Sequence, residues 1–89
     1  MTSKDLEIIN KLGLHARAAA KLVQCANGFT SRVEVERRGQ RVNGKSIMGV
    51  MMLAASQGTW ITVSAEGEDE TAALAAIEQL IGDRFGEGE

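Results

Sequence analysis

One short run brings together groups able to handle an anion, Gly13-Leu14-His15-Ala16-Arg17. His15 is the single histidine of the chain, and a neutral imidazole carries a nitrogen lone pair that can act as a nucleophile near neutral pH. It stands where a loop gives way to a helical pattern. Ala16, Ala19, Ala20, Val23 and Ala26 recur on one face of a segment of good helix formers that stops at Asn27-Gly28. A helix start exposes unpaired N–H groups and partial positive charge, favouring a bound anion by about 0.3–1 kcal/mol, rising to ~2 where partly buried. A phosphoryl group on His15 would meet the backbone donors of Ala16 and Arg17. The Arg17 guanidinium would add charge-assisted hydrogen bonds, and the small Ala16 leaves the space between them open. Phosphoryl transfer depends mainly on in-line positioning and charge stabilisation, so a nucleophile, a cradle and an open approach suffice for a carrier. A lone histidine at a helix start is more often a cap or a surface residue, and the spacing leaves both readings open.

The surrounding pattern shows what must hold this run. Leu6, Ile8 and Ile9 make a β-prone stretch over Asp5–Asn10, ahead of the loop that leads to His15. After the first helix, Val33 and Val35 alternate with Glu34 and Glu36, and Arg38-Gly39 turns the chain into a short strand through Val42, which is a hairpin. Ser46 is a preferred N-cap residue for a second helix carrying Ile47, Val50, Met51 and Ala54 up to Gln57-Gly58. A further strand runs over Trp60–Ala65, and Asp69 caps a last helix with Leu74, Ile77, Leu80 and Ile81 on its apolar face. The order is βαββαβα, predicting an α+β, open-faced two-layer sandwich: a four-stranded antiparallel sheet with three helices on one face. At 89 residues the chain is expected to form one domain over 1–89, with 82–89 a fraying tail.

Composition narrows the function. The net charge of −2 and three aromatic residues give no basis for a nucleic-acid surface, so Arg37, Arg38 and Arg41 read as a solvated hairpin edge. No metal-ligand spacing occurs, and Cys25, the only cysteine, has no partner for a bridge; it and Trp60 read as packing residues. No signal peptide or membrane span is evident, which predicts a cytoplasmic protein without a cofactor. Gly39–Ser46 satisfies the nucleotide-binding pattern G-x-x-x-x-G-K-S, but its first glycine falls on the hairpin turn instead of behind a buried parallel strand, so the match is discounted.

Gly-Leu-His-Ala-Arg at 13–17, followed by a helix of small residues, resembles the active-site signature of the HPr family of the bacterial phosphotransferase system. The run from Asn43 through Ser46 to Ala55 is similar to that family's regulatory serine region. The resemblance implies a carrier phosphorylated on His15 Nδ1 by enzyme I, itself charged from phosphoenolpyruvate, and discharged to an EIIA component. It implies that Arg17 stabilises the phosphate and that an HPr kinase/phosphorylase modifies Ser46, which also reads as an ordinary N-cap; such a chain is a monomer and a substrate of other enzymes, with no turnover of its own. An apolar docking surface follows, assigned to Ala20, Ile47, Met48 and Met51, with Met48 exposed together with Met51 or Leu53. A regulatory interaction module switched at Ser46, with little role in sugar transport, is the alternative. Ala18 departs from the family, where proline is common; alanine leaves the first turn less constrained but keeps it helical.

Overall fold

The computed structural model describes all 89 residues. The chain runs β1 (Thr2–Glu7), α1 (Ala16–Asn27), β2 (Arg32–Arg37), β3 (Gln40–Asn43), α2 (Ile47–Met52), β4 (Trp60–Glu66) and α3 (Glu70–Gly82), closing with a tight turn at Arg84–Gly86. All strand pairs are antiparallel and the spatial order is β1-β4-β2-β3, so β4 lies between β1 and β2. The period-two alternation sets the register. Val33 and Val35 stand opposite Ala65 and Val63, and Leu6 opposite Ile61, all six buried. Their neighbours make the other face polar, where Arg41 pairs with Glu36 at 3.2 Å and Glu34 at 3.7 Å, and Thr62 Oγ1 donates to Asp5 at 2.6 Å.

A sheet with one apolar face needs a cover, and the helices supply it. Helix α1 buries Ala18, Ala19, Leu22, Val23 and Ala26, while α3 buries Ala73, Leu74, Ile77 and Ile81. Small side chains on both helices allow close packing. Arg38 and Gly39, at φ 52° and 82°, form the hairpin turn, and β3 fills the middle of the G-x-x-x-x-G-K-S pattern, so that segment has no phosphate loop.

Several expectations shift. Strand β1 spans Thr2–Glu7, earlier than Asp5–Asn10, because its ladder is set by β4, from Thr2 opposite Ala65 to Glu7 opposite Trp60. The buried stripe of α1 is rotated toward Leu22: Ala16 is exposed and Ala20 only half-buried, since alanines alone give the stripe little bias. Helix α2 ends at Met52 with only Val50 buried inside it; Leu53 is buried at its end and Ala54 is exposed at φ 49°. Trp60 is 60% exposed because the strand phase that buries Ile61, Val63 and Ala65 points it to the open face. Cys25 does pack against the core, and burial raises its thiol pKa. Arg37 is no free edge cation; it donates to Leu53 O at 2.8 Å and Ala54 O at 3.3 Å, closing the end of α2.

Asp69 holds the N-cap position of α3, as expected, but its side chain makes no capping bond. Its carboxylate accepts from the Thr30 and Ser31 N–H groups, both at 2.9 Å, and from the Ser31 hydroxyl, tying the α1–β2 loop to the start of α3. Those donors hold Asp69 at a pKa of about 2. The largest correction concerns residues 82–89, which are docked instead of frayed. Phe85 is fully buried in the core, Lys21 Nζ donates to Phe85 O at 2.6 Å, and the Lys11 N–H donates to Glu89 O at 2.6 Å.

Candidate functional site

The loop before α1 is fixed from below. Asn10, fully buried, donates from Nδ2 to Gly13 O at 2.9 Å, and the Leu14 N–H donates to Ala55 O at 2.8 Å. Gly13 lies at φ 69°, where a Cβ would come within 2.6 Å of Ala55 O, so glycine alone fits this approach without strain. The pinned loop delivers His15 to the N-cap position in extended conformation, with φ −76° and ψ −179°.

His15 makes no side-chain capping bond, and the first helical hydrogen bond runs from the Ala19 N–H to His15 O at 2.8 Å. The N–H groups of Ala16, Arg17 and Ala18 therefore remain without protein acceptors at the positive end of the helix. Because the position 18 N–H is not used by the helix, proline there would cost the helix no hydrogen bond, and alanine keeps the same helical bonding. Arg17 is exposed and its guanidinium makes neither a hydrogen bond nor an ion pair.

His15 opens into a surface hollow of about 630 Å³ whose rim includes Lys11, Leu12, Arg17, Lys21 and Glu87. Lys11 is paired with Glu89 at 3.8 Å and Lys21 is engaged by Phe85 O, which leaves Arg17 as the free cation of the rim. The half-buried imidazole pairs through Nε2 with Glu87 Oε2, and Asn10 Nδ2 donates to Glu87 Oε1 at 2.9 Å. The Asn10 hydrogen bond and then the His15 contact hold the Glu87 carboxyl below its ordinary pKa. Nδ1 has no partner in the protein. The arrangement can therefore present a nucleophilic nitrogen in a hollow lined by Ala16 and Arg17, whose backbone N–H groups and guanidinium are free, which is the chemistry of an anion accepted at that nitrogen.

The second candidate residue, Ser46, caps α2, its Oγ accepting from the Gly49 N–H at 3.1 Å. Ile47, Met48 and Met51 are exposed, Met48 at 73%, and α1 packs against α2, so this apolar patch adjoins the helix that carries Ala20 and the His15 end. Leu53 does not belong to the patch, whereas Met52 is exposed too, as is Leu12, which the sequence did not single out. Glu87, Asn10 and Phe85 were also missed. Phe85 alone offered a signal, as an aromatic side chain in an otherwise glycine-rich and charged segment. No group of histidine, cysteine and carboxylate side chains is placed to hold a metal ion, and no helix is long and apolar enough to cross a membrane.

Comparison with known proteins identifies relatives along the whole chain. Residues 2–83 match the family model described as the PTS HPr component phosphorylation site. The phosphocarrier protein HPr of Cupriavidus necator is 56% identical over 89 residues, spanning the whole of both chains. The crystal structure of HPr-C-His from Thermoanaerobacter tengcongensis superposes with a TM-score of 0.95 at 50% identity, covering 98% of each chain. An HPr dimer from the same organism superposes at 0.79, also with 50% identity, over 98% of this chain and 100% of that one. Full-length similarity, the family match and the shared fold together place this chain in the HPr phosphocarrier family of the phosphotransferase system.

Proposed function

We propose that the chain carries a phosphoryl group on His15 Nδ1, accepting it from phosphorylated enzyme I and donating it to an EIIA component. The observation that carries this reading is the unpartnered Nδ1 at the start of α1, beside the free N–H groups of Ala16 and Arg17 and the free Arg17 guanidinium. A phosphoryl group there meets backbone donors on one side and a fork of N–H groups on the other, which favours negative charge without enclosing it. The protein supplies nucleophile and cradle; its partners supply the remaining catalytic groups, so the chain is a substrate of other enzymes and works without a cofactor.

The exposed Ile47, Met48 and Met51, with Ala20 on the adjoining helix, form the surface to which both partners dock. Ser46 is the regulatory site of an HPr kinase/phosphorylase. A phosphate at Ser46 would bring roughly −1.5 to −2 charges to the start of α2, beside the docking patch, and would oppose enzyme I by electrostatics without refolding the domain. The carrier acts in the cytoplasm as a monomer.

Incubation with enzyme I and phosphoenolpyruvate tests the central claim. The wild-type chain should gain an acid-labile, base-stable phosphate that passes to an EIIA protein, and His15→Ala should gain none. A wild-type chain left unlabelled by an enzyme I that labels another HPr would overturn the reading.

A further inference from the structure

We propose that Glu87 is a positioning residue for phosphoryl transfer, holding the His15 ring with its proton on Nε2 and balancing the charge that the ring acquires when Nδ1 is phosphorylated. The proposal rests on the carrier reading and adds a residue outside the span matched by the family model, which ends at residue 83.

The geometry supports it in three steps. An ionised carboxylate only accepts hydrogen bonds, so the contact between His15 Nε2 and Glu87 Oε2 requires the ring proton to sit on Nε2 and leaves the Nδ1 lone pair free. The carboxylate is itself held, because Oε1 accepts from Asn10 Nδ2 at 2.9 Å and Asn10 is fully buried in the loop that delivers His15. The backbone around Glu87 is anchored as well, by buried Phe85 two residues before it and by the hydrogen bond between Lys11 and Glu89 two residues after it. Asn10, Glu87 and His15 thus form a chain in which a buried amide orients a carboxylate and the carboxylate orients a nucleophile.

In the transfer step the Nδ1 lone pair forms a bond to phosphorus as the bond from phosphorus to the donor breaks, its electron pair returning to the donor. His15 keeps its Nε2 proton and becomes cationic, directly against the Glu87 carboxylate. The attraction is stronger after bond formation than before it, the condition for an interaction to speed a chemical step. The reverse transfer follows the same path, with the ring returning to neutrality as the phosphoryl group leaves.

The test uses the full chain with enzyme I and phosphoenolpyruvate under single-turnover conditions, together with proton NMR of the His15 ring. Glu87→Ala and Glu87→Gln should each slow labelling by about tenfold, the loss expected for one charge-assisted hydrogen bond made stronger in the transition state. Glu66→Gln, on the exposed end of β4, should label at the wild-type rate. In the wild type the Nε2–H proton should resonate far downfield and exchange slowly with water, and Glu87→Ala should lose that signal. Normal labelling of both Glu87 variants overturns the proposal while leaving the carrier reading intact. An Nε2–H signal unchanged in Glu87→Ala overturns it whether or not the chain is labelled, and failure of wild-type labelling by a competent enzyme I removes the carrier reading instead.

Discussion

Phe85→Ala tests whether residues 83–89 are a structural anchor for the site. The Phe85 ring is fully buried in the core cluster, and truncating such a residue ordinarily costs about 3–5 kcal/mol. The backbone works against it. Arg84 and Phe85 both lie in the left-handed region, at φ 53° and 54°, and each position stores on the order of 1 kcal/mol or more of strain. When the ring is removed the segment can leave the surface and relax, recovering about 2 kcal/mol, so the net destabilisation should be about 1–3 kcal/mol. For a domain of this size that lowers the Tm by roughly 10 °C. Far-UV circular dichroism during urea and thermal unfolding is the suitable assay, because exposed Trp60 is a weak fluorescence reporter of core packing. The same variant should lose the downfield His15 Nε2–H signal, and adding Glu87→Ala should slow labelling no further, since both changes break one chain of contacts. A Phe85→Ala protein with unchanged Tm would refute burial as the anchor. One destabilised by 5 kcal/mol with the Nε2–H signal intact would refute the coupling of that anchor to the site.

Other outcomes follow from single features. Arg17→Ala should reduce phosphoryl acceptance about 10–100-fold, matching one or two hydrogen bonds to a charged group, and Arg17→Lys should recover only part of it because the fork geometry is lost; single-turnover labelling reads both. Ser46→Asp should fold normally yet bind enzyme I more weakly, with the difference shrinking as salt rises, which calorimetry at two ionic strengths can measure. Gly13→Ala should lose about 1–3 kcal/mol in urea unfolding, since its Cβ would meet Ala55 O at 2.6 Å at a φ of 69°. Asp69, with a pKa of about 2 against an ordinary 3.8, supports the fold fully above pH 4 and loses that contribution as pH falls toward 2. Urea midpoints taken through that window should fall less steeply for Asp69→Asn than for the wild type.

The sheet and the His15 end of α1 were legible because their signals are periodic and local. Val33 and Val35 alternating with Glu34 and Glu36 can bury only one face, and a histidine just before a helical stripe must sit near the free N–H groups of that helix. Trp60 was misplaced although its strand phase was visible: with Ile61, Val63 and Ala65 on the core side it had to face outward, and the habit of burying aromatic rings hid that. Arg37 was misassigned, and the bonds of the Asp69 carboxylate were missed, for another reason. Their partners, the end of α2 and the α1–β2 loop, lie 16 or more residues away in sequence, where no local pattern reports them. Residues 83–89 were the least legible, since a glycine-rich acidic segment has the composition of a solvated tail and only the docked position of Phe85 shows that Glu87 reaches His15.

The electrostatics of the hollow suit a group that must leave as readily as it arrives. Lys11 and Lys21 are already engaged by Glu89 and by Phe85 O, so an incoming phosphoryl group would find one free guanidinium and the free N–H groups of Ala16 and Arg17 instead of a closed cage of cations. Glu87 touches the opposite nitrogen of the ring, where it stabilises the imidazolium but repels the dianion attached to Nδ1. On the carrier reading those two effects oppose each other in the phosphorylated state, and their partial cancellation keeps the site from becoming a trap. A stronger cradle would raise acceptance at the expense of donation, because binding the carried state too well deepens the well from which transfer to the next partner must start. On the same reading, the exposed Arg17, the short α2 with its apolar patch and the docked Glu87 belong to one design, in which the partners would complete the site and the carrier alone would not.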